Sequence, residues 1–184
     1  MKKIKTFIGI AVHITIATGF SYQDNWYLLK SDEYKIEFPV KPVPQTQMIK
    51  SEIGELKMDI FMHDASENEK DENLVYGFMY TEYPDSLINS GKTELLTNFF
   101  RNAIDGSLGN VKGKLLSETI IEIDKFPGRE IKIEFMEGLY IMKMRFYLVR
   151  NKMYIIQTIT DIKKTDNKSA ERFMGSFGLI SKQE

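Results

Sequence analysis

Most of the chain alternates apolar and polar side chains, which is the period of a strand with one buried face. Trp26 to Lys30 and Tyr34 to Phe38 read as two short strands around a Ser31-Asp32-Glu33 turn. Pro39, Pro42 and Pro44 then hold the chain extended and forbid a helix, because each fixes φ and lacks an amide donor. Gln45 to Ile53 and Glu55 to His63 flank Gly54 as a hairpin, and Leu74 to Tyr83 is the next strand. Between the last two, the charged run from Asp64 to Asn73 (DASENEKDEN) reads as a disordered, solubilising loop.

The period changes after Pro84. Leu87, Ile88, Leu95, Leu96, Phe99, Phe100, Ala103 and Ile104 recur at helical spacing, with Gly91 separating a short first turn from the main helix. Asp105, Gly106, Gly109 and Asn110 end it. Four strands follow: Lys112 to Ile123, Gly128 to Met136, Leu139 to Val149 and Lys152 to Ile162. Such a succession predicts an antiparallel meander. Glu137-Gly138 fits a two-residue hairpin turn, which sets Ile131 opposite Met144 and Ile133 opposite Met142 on one face, and Glu130 opposite Arg145 on the other. Lys132 then meets Lys143, with Glu134 diagonally placed to relieve them.

Met153 to Ile159 is apolar on both faces, so it predicts an interior strand covered on both sides. Asp166 is placed to cap a last helix, whose Ala170, Phe173, Met174 and Phe177 form one stripe ended by Gly178. The predicted fold class is α+β: a mostly antiparallel β-sheet with two main helices packed on it.

The N-terminus departs from this pattern. Lys2, Lys3 and Lys5 precede a nearly unbroken apolar run, Phe7 to Ile16, and small or polar residues follow at Ala17, Thr18, Gly19 and Ser21. Basic, then apolar, then small is the layout of a cleavable signal peptide, and the run is too short for the roughly 20 apolar residues of a bilayer span. Residues 1–21 are therefore expected to be removed, leaving 22–184 as a single α+β domain with no transmembrane segment. The sequence holds no cysteine, so a lipoprotein anchor, a disulfide framework, thiol catalysis and thiolate metal sites all fall away. The expected location is exported, periplasmic or secreted. Net charge is −1 from 25 basic and 26 acidic residues, and loss of the three N-terminal lysines makes it −4. That balance offers no electrostatic footprint for nucleic acid.

Several blocks stand out in this exported chain: Tyr34-Lys35-Ile36-Glu37-Phe38-Pro39 after a Trp-bearing strand, Phe126-Pro127-Gly128-Arg129-Glu130, Arg145 to Val149 with Met153-Tyr154, and Glu171 to Phe177. In them it resembles the uncharacterised small secreted proteins of Bacteroidetes-type bacteria and, more distantly, the PsbP-like α/β/α sandwich. The resemblance implies that fold. It implies no single function, because the superfold hosts photosystem accessory subunits, a binder of a nuclear GTPase and bacterial envelope proteins, and it carries over no catalytic residue.

Candidate chemistry is sparse. After the signal peptide the one histidine is His63, which lacks the nitrogen or sulfur co-ligands of a zinc site and a nucleophile to activate. Gly175-Ser176-Phe177 is no nucleophile elbow, and Asp64 to Asn73 lacks the alternating order of a calcium loop. Asn167-Lys168-Ser169 is a formal glycosylation sequon in a helix's first turn. Met142 and Met144 share a strand face and could offer thioethers to Cu(I), but they read first as core filler. Arg129, after the Pro127-Gly128 turn, points to the apolar face and needs a partner such as Glu118, Glu122 or a ligand.

Strand aromatics, Trp26, Tyr27, Tyr76, Phe78, Tyr80 and Tyr83, are either core or the wall of a groove. The ligand or partner surface predicted is Trp26, Tyr27, Tyr80, Tyr83 and Arg129, with no catalytic residue, no metal and no cofactor. The function expected is a non-catalytic binding or accessory domain of the cell envelope, its partner an envelope protein or small ligand. Two alternatives stand: a carboxylate-dependent hydrolase, for which no single sequence reveals the residue pair, and a structural envelope component.

Overall fold

The computed structural model describes residues 26–51 and 54–180. The predicted signal peptide lies outside them. Strands form at β1 (Tyr27–Lys30), β2 (Tyr34–Phe38), β3 (Val43–Ser51), β4 (Gly54–Asp64), β5 (Asn73–Glu82), β6 (Lys114–Ile123), β7 (Phe126–Phe135), β8 (Tyr140–Val149), β9 (Lys152–Asp161) and β10 (Gly178–Leu179). Two α-helices interrupt them, α1 (Thr93–Val111) and α2 (Lys168–Ser176). The chain is α+β and mostly antiparallel, and among the described residues no helix is long and apolar enough to cross a membrane.

Strands β3 to β9 build one seven-stranded sheet in the order β3-β4-β5-β9-β8-β7-β6. The doubly apolar strand β9 sits at its centre, hydrogen-bonded to β5 on one side and β8 on the other. Its Met153 and Tyr154 are both buried although they point to opposite faces. The first hairpin does not join this sheet. β1, β2 and β10 form a separate three-stranded sheet, which sequence periodicity alone did not indicate.

Each face of β9 has its own cover. On one, Tyr34, Ile36 and Phe38 from β2 and Phe173 and Met174 from α2 pack on Tyr76, Phe78, Tyr154 and Ile156. On the other, Phe100 and Ile104 of α1 pack on Ile131, Ile133, Met142, Met144, Phe146, Leu148 and Met153. Each fully buried large apolar side chain contributes about 1.5–3 kcal/mol. Met142 and Met144 are therefore core residues, not a thioether site.

The predicted β7–β8 register is the one observed, with Ile131 opposite Met144, Ile133 opposite Met142 and Glu130 opposite Arg145. Relief of Lys132 against Lys143 comes from elsewhere than Glu134, since Lys143 pairs with Glu130 at 3.5 Å and Lys132 with Asp166 at 3.8 Å. The turn before β7 is Asp124-Lys125, both at positive φ, rather than Pro127-Gly128, which lie within the strand. A Cβ on Gly128 would stand 2.5 Å from the Phe146 carbonyl oxygen, so β8 approaches too closely there for any side chain. Helix α1 runs through Gly106 and Gly109 because Leu108 and Val111 extend its apolar stripe onto the core, and it stops only at a left-handed Lys112.

The acidic segment after β4 is not disordered. Asn68 N–H bonds to Ala65 O, Asp71 N–H to Asn68 O, and the buried Ala65 ties its own N–H to Leu74 O. The cap of α2 is Asn167, not Asp166, and Phe177 is already extended beyond the helix. Asn167 Oδ1 accepts from Ala170 N–H at 2.7 Å and from Asn73 Nδ2 at 3.0 Å, and Asn167 Nδ2 returns a bond to Asn73 Oδ1 at 3.0 Å. Thr160 Oγ1 donates to Asn73 Oδ1 at 2.7 Å, and Asn73 Nδ2 reaches Tyr76 Oη at 2.7 Å. Asn167 is 4 % exposed, which also closes its sequon to modification.

This buried amide pair fastens α2 to the sheet. Asn167→Ala removes a cap and both hydrogen bonds that Asn73 makes with Asn167, so urea unfolding should show a loss of about 2–4 kcal/mol. Asp166→Ala, which loses only an exposed ion pair, should cost under about 0.5 kcal/mol.

Candidate functional site

The two sheets meet at one end of the molecule in a cleft of about 750 Å³, whose walls include Glu33, Glu82, Arg150, Lys152, Tyr154 and Leu179. Local sequence places these groups. Glu33 ends the Ser31 turn, in which Ser31 Oγ accepts the backbone N–H groups of Glu33 and Tyr34. Lys152 and Tyr154 are two apart on β9, so both lean toward the β1-β2-β10 sheet. Arg150, at positive φ, turns the chain from β8 into β9.

Lys152 organises the cleft. Its Nζ lies 2.5 Å from Glu33 Oε2, 3.7 Å from Glu82 Oε2 and 5.5 Å from the centre of the Tyr80 ring, and its side chain is 15 % exposed. A charge desolvated to this degree is held by several partners at once, and the ring face adds a cation–π attraction. Asp32, Glu33, Glu82 and Asp124 outnumber Arg150 and Lys152 among the lining residues, so the cleft is net acidic over an apolar floor that includes Phe126, Val149 and Ile180.

Behind Lys152 stand three phenols. Tyr34, Tyr80 and Tyr154 have ring centres 5.6–6.0 Å apart. Burial, reinforced by the Tyr80 phenol and the Asp59 carboxylate, holds Tyr34 well above the ordinary phenol value. Burial and then the Glu33 charge do the same for Tyr154, and burial with the Asp71 hydrogen bond does so for Tyr76. Partial desolvation acts to raise the Asp59 carboxyl, but hydrogen bonds from Lys57, Thr46 and Tyr80 bring it below the ordinary carboxylate value. Thr46 Oγ1 donates to Asp59 at 2.8 Å and Lys57 Nζ at 3.0 Å.

The structure divides the five residues predicted as a ligand surface. Trp26 packs edge-on against Tyr76 under the Arg172 guanidinium, 4.3 Å above its ring, and Tyr27 lies in β1. Tyr80 borders the cleft through Lys152. Tyr83 sits on the opposite face of the main sheet against Phe99, beneath α1. Arg129 is on that face too, 4.9 Å over the Phe100 ring and 3.4 Å from Glu118 Oε1, so the structural ion pair is the outcome and Glu122 is not its partner. Trp26 and Tyr83 therefore serve two different cores, Trp26 the one under the small sheet and α2, and Tyr83 the one under α1.

Lys152, Glu33 and Glu82 were missed by sequence reasoning. The available signal was weak: a lysine two residues before Tyr154 on the most apolar strand. His63 stacks on Tyr76 with ring centres 5.9 Å apart beside a shallow dish, and among the described residues no three His, Cys, Asp or Glu side chains gather as metal ligands.

No family model matches the sequence, and no curated protein is similar to it. Among solved structures the chain is similar to a Pseudomonas aeruginosa protein of unknown function, PA94, at 14 % identity and a TM-score of 0.32, over 76 % of this chain and 85 % of that one. A likeness of that degree bears on neither family nor function.

Tyr34, Tyr76 and Tyr154 have folded values above their unfolded ones, so folding favours the protonated phenols. Their contribution is whole below about pH 10 and is lost as pH rises beyond it, by up to about 1.4 kcal/mol per pH unit for each. Urea midpoints should fall steeply above about pH 10, and less steeply in Tyr154→Phe. A flat profile would contradict the assignment.

Proposed function

We propose that the protein acts after export, as a non-catalytic binding or accessory domain of the cell envelope, and that the cleft beside Lys152 receives its ligand. The observation that carries this reading is the cleft's composition: a net acidic wall over an apolar floor, with its one well-buried cation already held between Glu33 and Glu82. Such a lining fits a ligand with a cationic head and an apolar body, whether a small molecule or a side chain of an envelope protein. The basic, apolar and small residues of positions 1–21 support export. The layering of α1, the large sheet, and α2 with the small sheet agrees with a PsbP-like sandwich.

A second reading uses the same geometry. Glu33 and Glu82 both reach Lys152, so two carboxylates stand close together in a cleft, as a carboxylate-dependent hydrolase requires. Turnover of a glycan substrate that disappears in a folded Glu33→Gln variant would favour it over binding alone.

Two measurements test the leading reading together. N-terminal sequencing from the native host should begin at Tyr22, and an intact Met1 would overturn export. Thermal shift with short Lys-bearing apolar peptides should raise Tm in the purified protein by mass action, and should fail in Glu33→Gln. No shift with any cationic amphiphile would overturn the assignment of the cleft.

A further inference from the structure

The seven-stranded sheet ends in two unlike edges. β3 carries Pro44, which cannot donate to an added strand, and this is a common guard on an edge. β6 has a bulge between Leu115 and Ser117 and then a regular stretch from Ser117 to Ile123, with no proline, glycine or lysine. Ile120, in the middle of that stretch, is 75 % exposed, the highest figure among the exposed large apolar side chains.

The Asp124-Lys125 turn closes on a hydrogen-bonded Ile123–Phe126 pair. Alternation then turns the N–H and C=O groups of Glu118, Ile120 and Glu122 away from β7, free to meet another strand.

We infer that β6 pairs antiparallel with β6 of a second copy of this chain, about a two-fold axis at Ile120, joining two sheets into one. In this register Ile120 packs on its own copy, Thr119 faces Ile121, and Glu118 faces Glu122 of the second copy. The last pair is two like charges, and the cations on the page resolve it. Arg129 Nε and Arg101 Nη1 each lie 3.4 Å from Glu118, Arg101 Nε also lies 3.3 Å from Asp105, and Arg101 Nη2 is buried without a hydrogen-bond partner. Both guanidiniums meet Glu118, and Glu122 of the second copy brings them a further carboxylate from across the axis. An isologous contact of this kind closes on itself, so it yields a dimer and not a fibre.

Sedimentation equilibrium of the purified protein should show a dimer that dissociates on dilution, because seven residues of pairing make a small interface. Ile120→Lys, which sets two ammonium groups together at the axis, should be monomeric with an unchanged circular dichroism spectrum. A wild-type protein monomeric up to sub-millimolar concentration would overturn the proposal, as would a dimer that survives Ile120→Lys. Register is tested separately in this cysteine-free chain. Ile120→Cys should oxidise to a covalent dimer. Ser117→Cys should not, since its copy would lie six residues along the strand, about 20 Å away. Equal cross-linking at both positions would contradict the axis at Ile120.

Discussion

A strand apolar on both sides cannot lie at a surface, and β9 is such a strand. Met153 faces α1 while Tyr154 and Ile156 face β2 and α2, and all three are buried. Covering both faces forces three layers, and it makes each cover an amphipathic element that is unstable alone. The large sheet supplies the backbone partners of β9 through β5 and β8, and the two covers supply its dry environment. Most other features serve to keep one of those covers in place.

The fastenings are unequal in strength. The Asn73–Asn167 amide pair is buried and fully bonded, so breaking it strands polar groups in a dry site. Arg145 works nearby, joining Glu130 at 2.6 Å to the Met174 carbonyl at 2.8 Å, near the C-terminal end of α2, where a cation also complements the helix dipole. On the opposite face Arg129 lies over Phe100 of α1 and meets Glu118 of β6. By contrast the Lys57–Asp59 pair joins two residues of one strand through an exposed lysine and fastens neither cover. The cleft lies where the Asp32-Glu33 turn of the small sheet meets the start of β9. Lys152 there joins the two sheets through Glu33, so one interaction both closes the layer and shapes the cleft.

Local periodicity revealed much of this in advance. The meander, its β7–β8 register and the central place of β9 follow from alternation, which depends on neighbours in sequence, although the β7–β8 connection runs over Met136 to Leu139, with Met136, Glu137 and Gly138 at positive φ, rather than over Glu137-Gly138 alone. Capping by Asn167 over Asp166 does not, since the choice is made by Asn73, far away along the chain. The second sheet was equally hidden: β10 has two residues, and pairing with Lys35 and Tyr34 creates it. For the cleft the difficulty is the same. Glu33, Glu82 and Lys152 come from three strands or turns that meet only when one sheet packs on the other. Arg129 was legible because its partner Glu118 lies on the adjacent strand.

Native-state amide hydrogen exchange addresses the central claim most directly. If β9 is the element on which both covers depend, its amides from Met153 to Thr160 should exchange only through global unfolding, together with those of β5 and β8, while β1 and β3 open earlier. Exchange in β9 as early as in β3 would contradict a fold organised around that strand.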